Sequence, residues 1–392
     1  MTAPDGIGGS VSEPSAQSKG GAVVSDLDRR FMAAAIRLSE RHVGLTATNP
    51  SVATLIVRHD GNGPVIVGRG ITALGGRPHA ETIALAEAGK LARGATAYVT
   101  LEPCAHHGRT PPCAEALVAA GVARVVSAAS DPDARVDGKG HAILTAAGIE
   151  VLPKVMAAEA GKPMSGYLLR HARHRPEVVL KLALSSDGRI GHRGRGQVAI
   201  TGAVANRQTH LLRARADAVI VGTGTVIEDD PLLTCRLPGL QDRSPRRIVL
   251  DPRLSISPTA RIVRTARDVP TALAVLPQVT AAMRQPFIDA GCEFLAAEAD
   301  PATGMIALPE LLDDLVSSGV SSVLVEAGAR GAAAFLDQDL VDRLILIESP
   351  REIGRDGIQS PIDRSDALRR YRPTRRERLG EDEWLEFERK TA

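Results

Sequence analysis

Aromatic residues are scarce, at 2% of the 392 residues, and this scarcity limits what the chain can bind. Few rings are available to stack on the bases of a single-stranded nucleic acid. The formal net charge of +2 provides no strongly basic surface for a polyanion. Both absences argue against a nucleic-acid partner.

The sequence also lacks a long apolar run and a disulfide framework. No stretch of eighteen or more apolar residues is present, so we expect no membrane span. Four cysteines are too few for a disulfide scaffold in so long a chain, which predicts a reducing, cytoplasmic location. Residues 1–26 are rich in Gly, Ser and Pro and lack the features of a secretory signal, so they are predicted to form a disordered tail.

The remainder is long enough for two domains. Alternating strand and helix patterns over residues 27–153 indicate an α/β sandwich with a substantially parallel sheet. Residues 154–176 are interpreted as a connecting helix and linker that ends at a proline. Residues 177–392 contain at least seven further strand patterns, which predicts a second α/β domain.

Three residues of the first domain have the chemistry of a zinc site. His79 lies in "HAE" at the start of a predicted helix, Cys104 in "EPC" directly after a strand, and Cys113 in "TPPC" at the start of the next helix. Strand ends and helix starts on one edge of a sheet can converge. One histidine and two cysteines are ligands that zinc prefers, and a count of three leaves the fourth position to water, as in catalytic zinc sites.

Glu81 is the candidate acid and base of this site. A carboxylate beside a catalytic zinc can accept a proton from water and return it to a leaving group. The triplet H-x-E followed by P-C is the signature of zinc deaminases, although here eight residues separate the cysteines instead of two. Alternatively, His106 or His107 could complete a closed structural site, which would leave Glu81 unexplained. We expect His106 to line the substrate pocket.

The second domain has weaker signals. No G-x-G-x-x-G follows its first strand, but "VIVGTGTV" and "VLVEAGARGAAAF" are glycine-containing turns after strands. The backbone N–H groups at the second turn would suit a phosphate. Arg213 and Arg236 lie near these turns in sequence and could hold a sugar phosphate.

Taken together, these segments resemble a known family. "HAE", "AYVTLEPCAHHGRTPPC" and "DPDARVDGKG" resemble the deaminase half of the bifunctional riboflavin-biosynthesis deaminase/reductase. "KLALSSDGRI", "LLRARADAVIVGTGTVIEDDPLLTCR" and "VEAGARGAAAFL" resemble its reductase half, in the expected order. The resemblance covers about residues 28–390. It implies a cytidine-deaminase-like three-layer sandwich followed by a dihydrofolate-reductase-like α/β domain.

The resemblance also implies an activity. A zinc ion in each chain would serve hydrolytic deamination of a diaminopyrimidinone ribose phosphate, with Glu81 moving protons. NADPH would then reduce the ribose of the product to ribityl. The partner is this small phosphoribosyl-pyrimidine, and a homo-oligomer is expected.

Further site residues are carried over from the family. The cofactor would contact Ala183, Ala199, Thr225, Asp229, Gly328, Ala329, Arg330, Gly331, Ala332, Ala333 and Ala334. The substrate would contact Asn49, His106, Gln197, Arg213, Leu233, Arg236 and Glu326. At Gln197 and Ala199 this chain departs from the family, which often has serine and tryptophan there, so an aromatic surface is missing beside the cofactor.

Two other functions are compatible with parts of the pattern. One is a nucleic-acid base deaminase with an appended domain, which the low aromatic content and balanced charge disfavour. The other is a non-catalytic regulatory protein that binds zinc and NADPH. Such a protein would not need Glu81 as a proton carrier.

Overall fold

The computed structural model describes residues 23–108 and 111–390. Residues 1–22 of the predicted tail lie outside the described residues. Helix α1 begins at Asp26 behind a capping box, in which Ser25 Oγ accepts from the N–H of Asp28 and the Asp28 carboxylate accepts from the N–H of Ser25. Among the helices of residues 23–108 and 111–390, none combines the length and the hydrophobicity of a membrane span.

The first domain contains five strands. Its elements are α1 (Asp26–Ser39), β1 (Ala53–Asp60), β2 (Gly63–Ile71), α2 (Ala80–Ala88), β3 (Thr96–Leu101), α3 (Cys113–Ala120), β4 (Arg124–Ala129), α4 (Lys139–Ala146) and β5 (Glu150–Leu152). The strand order is β2-β1-β3-β4-β5. The pairs that include β1 are antiparallel, whereas β3, β4 and β5 run parallel.

Helices cover both faces of this sheet. The strand register places Ile56 opposite Gly68 and Ala97, and this face carries α2. Tyr98 points to the other face, where its hydroxyl donates to the carboxylate of Asp28 on α1 at 3.0 Å. The result is a three-layer sandwich, as the resemblance implies.

The connecting segment is mostly helical. It contains α5 (Ala157–Gly161) and α6 (Ser165–Arg173) and leads directly into the first strand of the second domain. Gly166 of α6 packs so closely on that domain that a Cβ there would lie 2.5 Å from the carbonyl oxygen of Ser321. Helix α6 is therefore packed against the second domain.

The second domain has nine strands in one sheet. Its strands are β6 (Glu177–Leu184), β7 (Ala218–Gly222), β8 (Arg246–Leu250), β9 (Thr271–Val275), β10 (Glu293–Ala296), β11 (Ser322–Val325), β12 (Arg343–Glu348), β13 (Tyr371–Leu379) and β14 (Asp382–Arg389). Its helices are α7 (Ala203–Arg215), α8 (Thr223–Asp229), α9 (Arg261–Arg264), α10 (Ala281–Asp289), α11 (Leu308–Ser317), α12 (Ala329–Asp337) and α13 (Arg364–Arg370).

The strand order of this sheet is β10-β9-β8-β7-β11-β6-β12-β14-β13. Every neighbouring pair from β10 to β12 is parallel, and the β13–β14 hairpin adds an antiparallel edge. Alternate side chains of each parallel strand enter separate apolar clusters on the two faces: Val178 and Leu180 pack in one, Val179 and Val219 in the other. Both faces are buried, which explains the nearly continuous apolar runs of these strands.

The two domains touch beside the first sheet. A Cβ on Gly319 would lie 3.2 Å from the methyl carbon of Thr48, and one on Gly44 would lie 2.8 Å from the carbonyl oxygen of Arg215. Thr48 also lines the cavity of the first domain. The domain contact therefore borders that cavity.

Candidate functional site

His79 is positioned by the close packing of α2 on β2. It is the residue immediately before α2. Gly70 on β2 allows this approach, because a Cβ there would lie 2.0 Å from the carbonyl oxygen of Ala80. Any side chain on Gly70 would push away the start of the helix that carries both His79 and Glu81.

Cys104 is positioned by the loop after β3. The preceding Glu102 is buried, and its carboxylate accepts hydrogen bonds from the N–H groups of Gly138 and Gly140 at 3.2 and 3.1 Å. A Cβ on Gly140 would lie 1.9 Å from the carbonyl oxygen of Pro103, so only glycine allows the start of α4 to approach this loop.

His79, Cys104 and Cys113 converge as their spacing suggests. The Nδ1 atom of His79 lies 3.7 Å from Cys104 Sγ and 3.4 Å from Cys113 Sγ, and all three donor atoms lie within 4.8 Å of one another. A tetrahedral zinc, with Zn–S near 2.3 Å and Zn–N near 2.0–2.1 Å, sets its nitrogen and sulfur ligands about 3.6 Å apart. The cluster therefore has both the donor types and the spacing that zinc requires.

Glu81 is buried beside this cluster, with 4% of its surface exposed. Burial raises the pKa of Glu81 to about 7, and the negative charge of Cys104 acts in the same direction. A carboxyl group with this pKa can both take and release a proton near neutral pH.

The two neighbouring histidines do not join the cluster. His107 is exposed, and its Nε2 lies 3.1 Å from the carboxylate of Glu115. The Nδ1 of His106 is buried and has no hydrogen-bond partner among the described residues. Within the described part of the chain the group of potential ligands has three members, which is the number of a catalytic rather than a structural site.

A cavity of about 610 Å³ opens beside the cluster. Asn49, His79, Glu81, Cys104 and His106 all line it, so the structure brings the predicted residues of the first domain to one place. The cavity is also lined by residues that sequence reasoning missed: Glu102, Asp131, Asp133, Arg135, Tyr167, Arg170 and His171.

In the second domain the structure pairs Arg213 with Glu326, which are 113 positions apart. Arg213 of α7 donates to both carboxylate oxygens of Glu326, at 2.6 and 3.0 Å. Burial alone would raise the pKa of Glu326, but the charge and hydrogen bonds of Arg213 hold it below its ordinary value.

Lys181 joins this pair and was not anticipated from sequence. Its Nζ lies 4.0 Å from Glu326 Oε2. Burial lowers the pKa of Lys181, and the Glu326 carboxylate opposes that shift. A lysine inside an otherwise apolar strand was the available signal, because such strands are buried on both faces.

Arg213 also holds the loop that contains Leu233 and Arg236. Its guanidinium donates to the carbonyl oxygen of Thr234 at 3.1 Å. Leu233 is buried with φ +54°, whereas Arg236 is exposed. The guanidinium of Arg213 thus already binds Glu326 and Thr234, so Arg236 is the arginine that is more available to bind a phosphate.

The proposed cofactor residues fall into two groups. Thr225 lies on α8, and its hydroxyl accepts from the N–H of Gly328 at 3.0 Å, at the start of α12, which carries Ala329 to Ala334. Asp229 ends α8, and Ala183 lies on β6 two residues beyond Lys181. These residues lie in or directly after neighbouring strands of the parallel sheet, where α/β proteins bind ligands.

Gln197 and Ala199 lie apart from regular structure. Both are exposed and belong to a loop between β6 and α7. The carbonyl oxygen of Ala199 accepts from Arg351 at 2.8 Å. The described contacts do not join either residue to Arg213, Glu326 or Thr225.

Comparisons with known proteins agree with this arrangement. Residues 25–129 match the family model of the cytidine and deoxycytidylate deaminase zinc-binding region, and residues 176–385 match the RibD C-terminal domain. The chain is 39% identical over 340 residues to the riboflavin biosynthesis protein RibD of Escherichia coli K12, covering 84% of this chain and 89% of that one. It is 35% identical over 373 residues to RibD of Aquifex aeolicus, covering 94% and 100%.

Solved structures also superimpose on nearly the whole chain. Acinetobacter baumannii RibD superimposes with a TM-score of 0.80 at 37% identity, covering 93% of this chain and 99% of that one. A diaminohydroxyphosphoribosylaminopyrimidine deaminase/5-amino-6-(5-phosphoribosylamino)uracil reductase from Thermotoga maritima superimposes with a TM-score of 0.78 at 29% identity, with the same coverage.

The fold and the two matched regions define a zinc-binding deaminase domain followed by a reductase domain. The chain belongs to the RibD family. It is a bifunctional enzyme of riboflavin biosynthesis that carries out a zinc-dependent deamination and an NADPH-dependent reduction. The expected family, fold class and cofactors are confirmed, and neither alternative function is supported.

Proposed function

We propose that His79, Cys104 and Cys113 hold the zinc ion and that Glu81 is the proton carrier of the deamination. The observation that carries this proposal is the three-atom cluster with a buried carboxyl group beside it. When bound, zinc supplies a Lewis acid that makes water a better nucleophile.

The protein's residues then supply position and proton transfer. Asn49 and His106 bind the pyrimidine in the cavity. Glu81 takes a proton from the water that adds to the amine-bearing ring carbon. It returns the proton to the exocyclic nitrogen, the carbon–nitrogen bond breaks, and ammonia leaves. Purified protein incubated with the diaminopyrimidinone ribose phosphate should release ammonia, and an absence of ammonia release from zinc-loaded protein would refute this assignment.

The reductase substrate is proposed to lie between the Arg213–Glu326 pair and the loop of Leu233 and Arg236. Gln197 borders the same site, and Glu326 faces the pyrimidine. The cofactor contacts Ala183, Ala199, Thr225, Asp229 and the run from Gly328 to Ala334, and when bound it supplies the hydride. Lys181 is the additional residue: its ammonium group donates to the ribose oxygen as the sugar ring opens.

Lys181→Met should therefore lower reductase kcat/KM by roughly 10²–10³-fold, because a buried donor at the reacting sugar is lost. Deamination should be unchanged. NADPH oxidation is measured with the deaminated substrate, and Lys390→Met serves as the control, since Lys390 is exposed and bonds the Arg369 carbonyl oxygen at 2.7 Å. Near wild-type reduction by Lys181→Met would remove this residue from the reaction.

Ala199→Trp tests the departure from the family. Ala199 is exposed, so a tryptophan has room and its ring should cover the cofactor, with a gain on the order of 1–3 kcal/mol in NADPH binding. Deamination should not change. A filled neighbouring pocket would instead cause a clash and weaken binding. NADPH titrations of wild type and variant that agree within error would place residue 199 outside the cofactor site.

The expected homo-oligomer and cytoplasmic location belong to this proposal. All four cysteines are free, as suits a reducing compartment. Cys235 and Cys292 are buried in the second domain. Sedimentation velocity over a range of concentrations tests the oligomer, and a single monomeric species throughout would refute it.

A further inference from the structure

The deaminase cavity has a wall that neither domain supplies. Tyr167, Arg170 and His171 line the cavity from α6, in the segment interpreted from sequence as a linker. They lie between the ranges that match the deaminase region, 25–129, and the reductase domain, 176–385. Their spacing of three and four residues places them on one face of the helix.

Contacts on both sides hold this helix in place. Toward the cavity, the Tyr167 hydroxyl donates to Asp131 at 2.9 Å, and its ring centroid lies 4.6 Å from that of His171. Toward the second domain, Gly166 packs on the backbone of Ser321. The helix is therefore attached to both domains, and its three side chains line the cavity.

Arg170 is the notable charge on this wall. The residue is half-buried, and within ranges 23–108 and 111–390 its guanidinium forms no hydrogen bond or ion pair. By contrast, the guanidinium of Arg135 in the same cavity is bound to the carboxylate of Asp133 at 2.5 Å. A cation that is partly withdrawn from water and unpaired gains most from an anionic ligand.

Asp217 of the second domain is a carboxylate on which the charge of Arg170 acts. Burial raises its pKa, and the charge of Arg170 is one of the influences that lower it. Its carboxylate already accepts from the N–H groups of Ser321 and Ser322, each at 2.9 Å, and from the Ser322 hydroxyl. The carboxylate of Asp217 thus has hydrogen-bond partners without Arg170. The guanidinium of Arg170 remains available to bind a ligand in the cavity.

We propose that Arg170 binds the phosphate of the ribose phosphate during deamination, so that the connecting helix is part of the deaminase site. This rests on the proposed function, in which the pyrimidine must reach the His79–Cys104–Cys113 cluster. The ribose phosphate then extends into the remainder of the cavity, where Arg170 offers an unpaired guanidinium. Arginine suits this role because its planar donors match phosphate oxygens.

Arg170→Gln should raise the KM of deamination roughly 10- to 100-fold for the phosphorylated substrate, as expected for the loss of one charge-assisted contact. The dephosphorylated substrate should be deaminated equally by variant and wild type. Arg170→Lys should recover part of the loss, since it retains the charge. Arg173→Gln, the same change on the same helix, should behave as wild type.

Reduction of the deaminated substrate reports whether each variant is folded and should not change. The proposal is overturned if Arg170→Gln deaminates the phosphorylated substrate with the wild-type KM. It is also overturned if the KM rises to the same extent for the phosphorylated and the dephosphorylated substrate. Failure of the proposed function looks different, because the wild-type protein would then deaminate neither substrate.

Discussion

Glu81→Gln is expected to lower deamination by about two to four orders of magnitude while zinc stays bound. Glutamine keeps the size of the side chain but cannot take the proton from water or return it to the leaving amine. The proposed ligand atoms come from His79, Cys104 and Cys113, so the metal content should equal that of wild type. Ammonia release and zinc content, measured on the same preparation, test this expectation.

Glu87→Gln provides a matched control for this experiment. Glu87 lies on the same helix, and its exposed carboxylate pairs with Arg69 on the surface. The control should deaminate at the wild-type rate. If zinc-loaded Glu81→Gln did so as well, Glu81 would not be the proton carrier.

Cys104→Ser and Cys113→Ser are expected to remove zinc and deamination together while leaving reduction intact. Loss of a direct ligand should cost more affinity than the ~10- to 100-fold typical of losing an outer-shell partner. The reductase site is built on a separate nine-stranded sheet with its own apolar clusters. NADPH oxidation with supplied deaminated substrate should therefore continue at the wild-type rate.

Cys292→Ser separates the effect of a lost ligand from that of a lost thiol. Cys292 is buried in an apolar cluster of the reductase domain, so this change should leave zinc content unaltered. If reduction disappeared together with zinc in Cys104→Ser, the two sites would not be independent.

The zinc cluster could be predicted because its residues follow a local rule. Cys104 lies in the loop that follows β3, His79 directly precedes α2, and Cys113 is the first residue of α3. Such positions converge at one edge of a sheet, and one histidine nitrogen and two cysteine sulfurs together indicate a metal site. The sequence motif was therefore sufficient to identify the group and to indicate that Glu81 lies beside it.

The far wall of the cavity could not be predicted in this way. Tyr167 and Arg170 lie on a helix whose sequence resembles a connection. Their place in the cavity wall depends on tertiary contacts, the packing of Gly166 on the second domain and the hydrogen bond from Tyr167 to Asp131. Arg213 and Glu326 were each anticipated through the family, but their pairing depends on the order of strands in the sheet.

The β13–β14 hairpin also has a weak signal in the sequence. β13 is an arginine-rich edge strand that is mostly exposed, so its residues show no apolar alternation. Trp384, Leu385 and Phe387 of β14 are buried and offered the available signal. Edge strands carry charge in this way because charged residues discourage pairing with other chains.

The most direct test of the account follows both reactions of the wild-type protein from one substrate. Zinc-loaded protein is mixed with the diaminopyrimidinone ribose phosphate and NADPH, and ammonia release and NADPH oxidation are recorded together. Ammonia should appear first, NADPH oxidation should follow after a lag, and the final amounts should be equimolar. NADPH oxidation without ammonia release, or ammonia release that is never followed by NADPH oxidation, would contradict the assignment of two successive reactions to this chain.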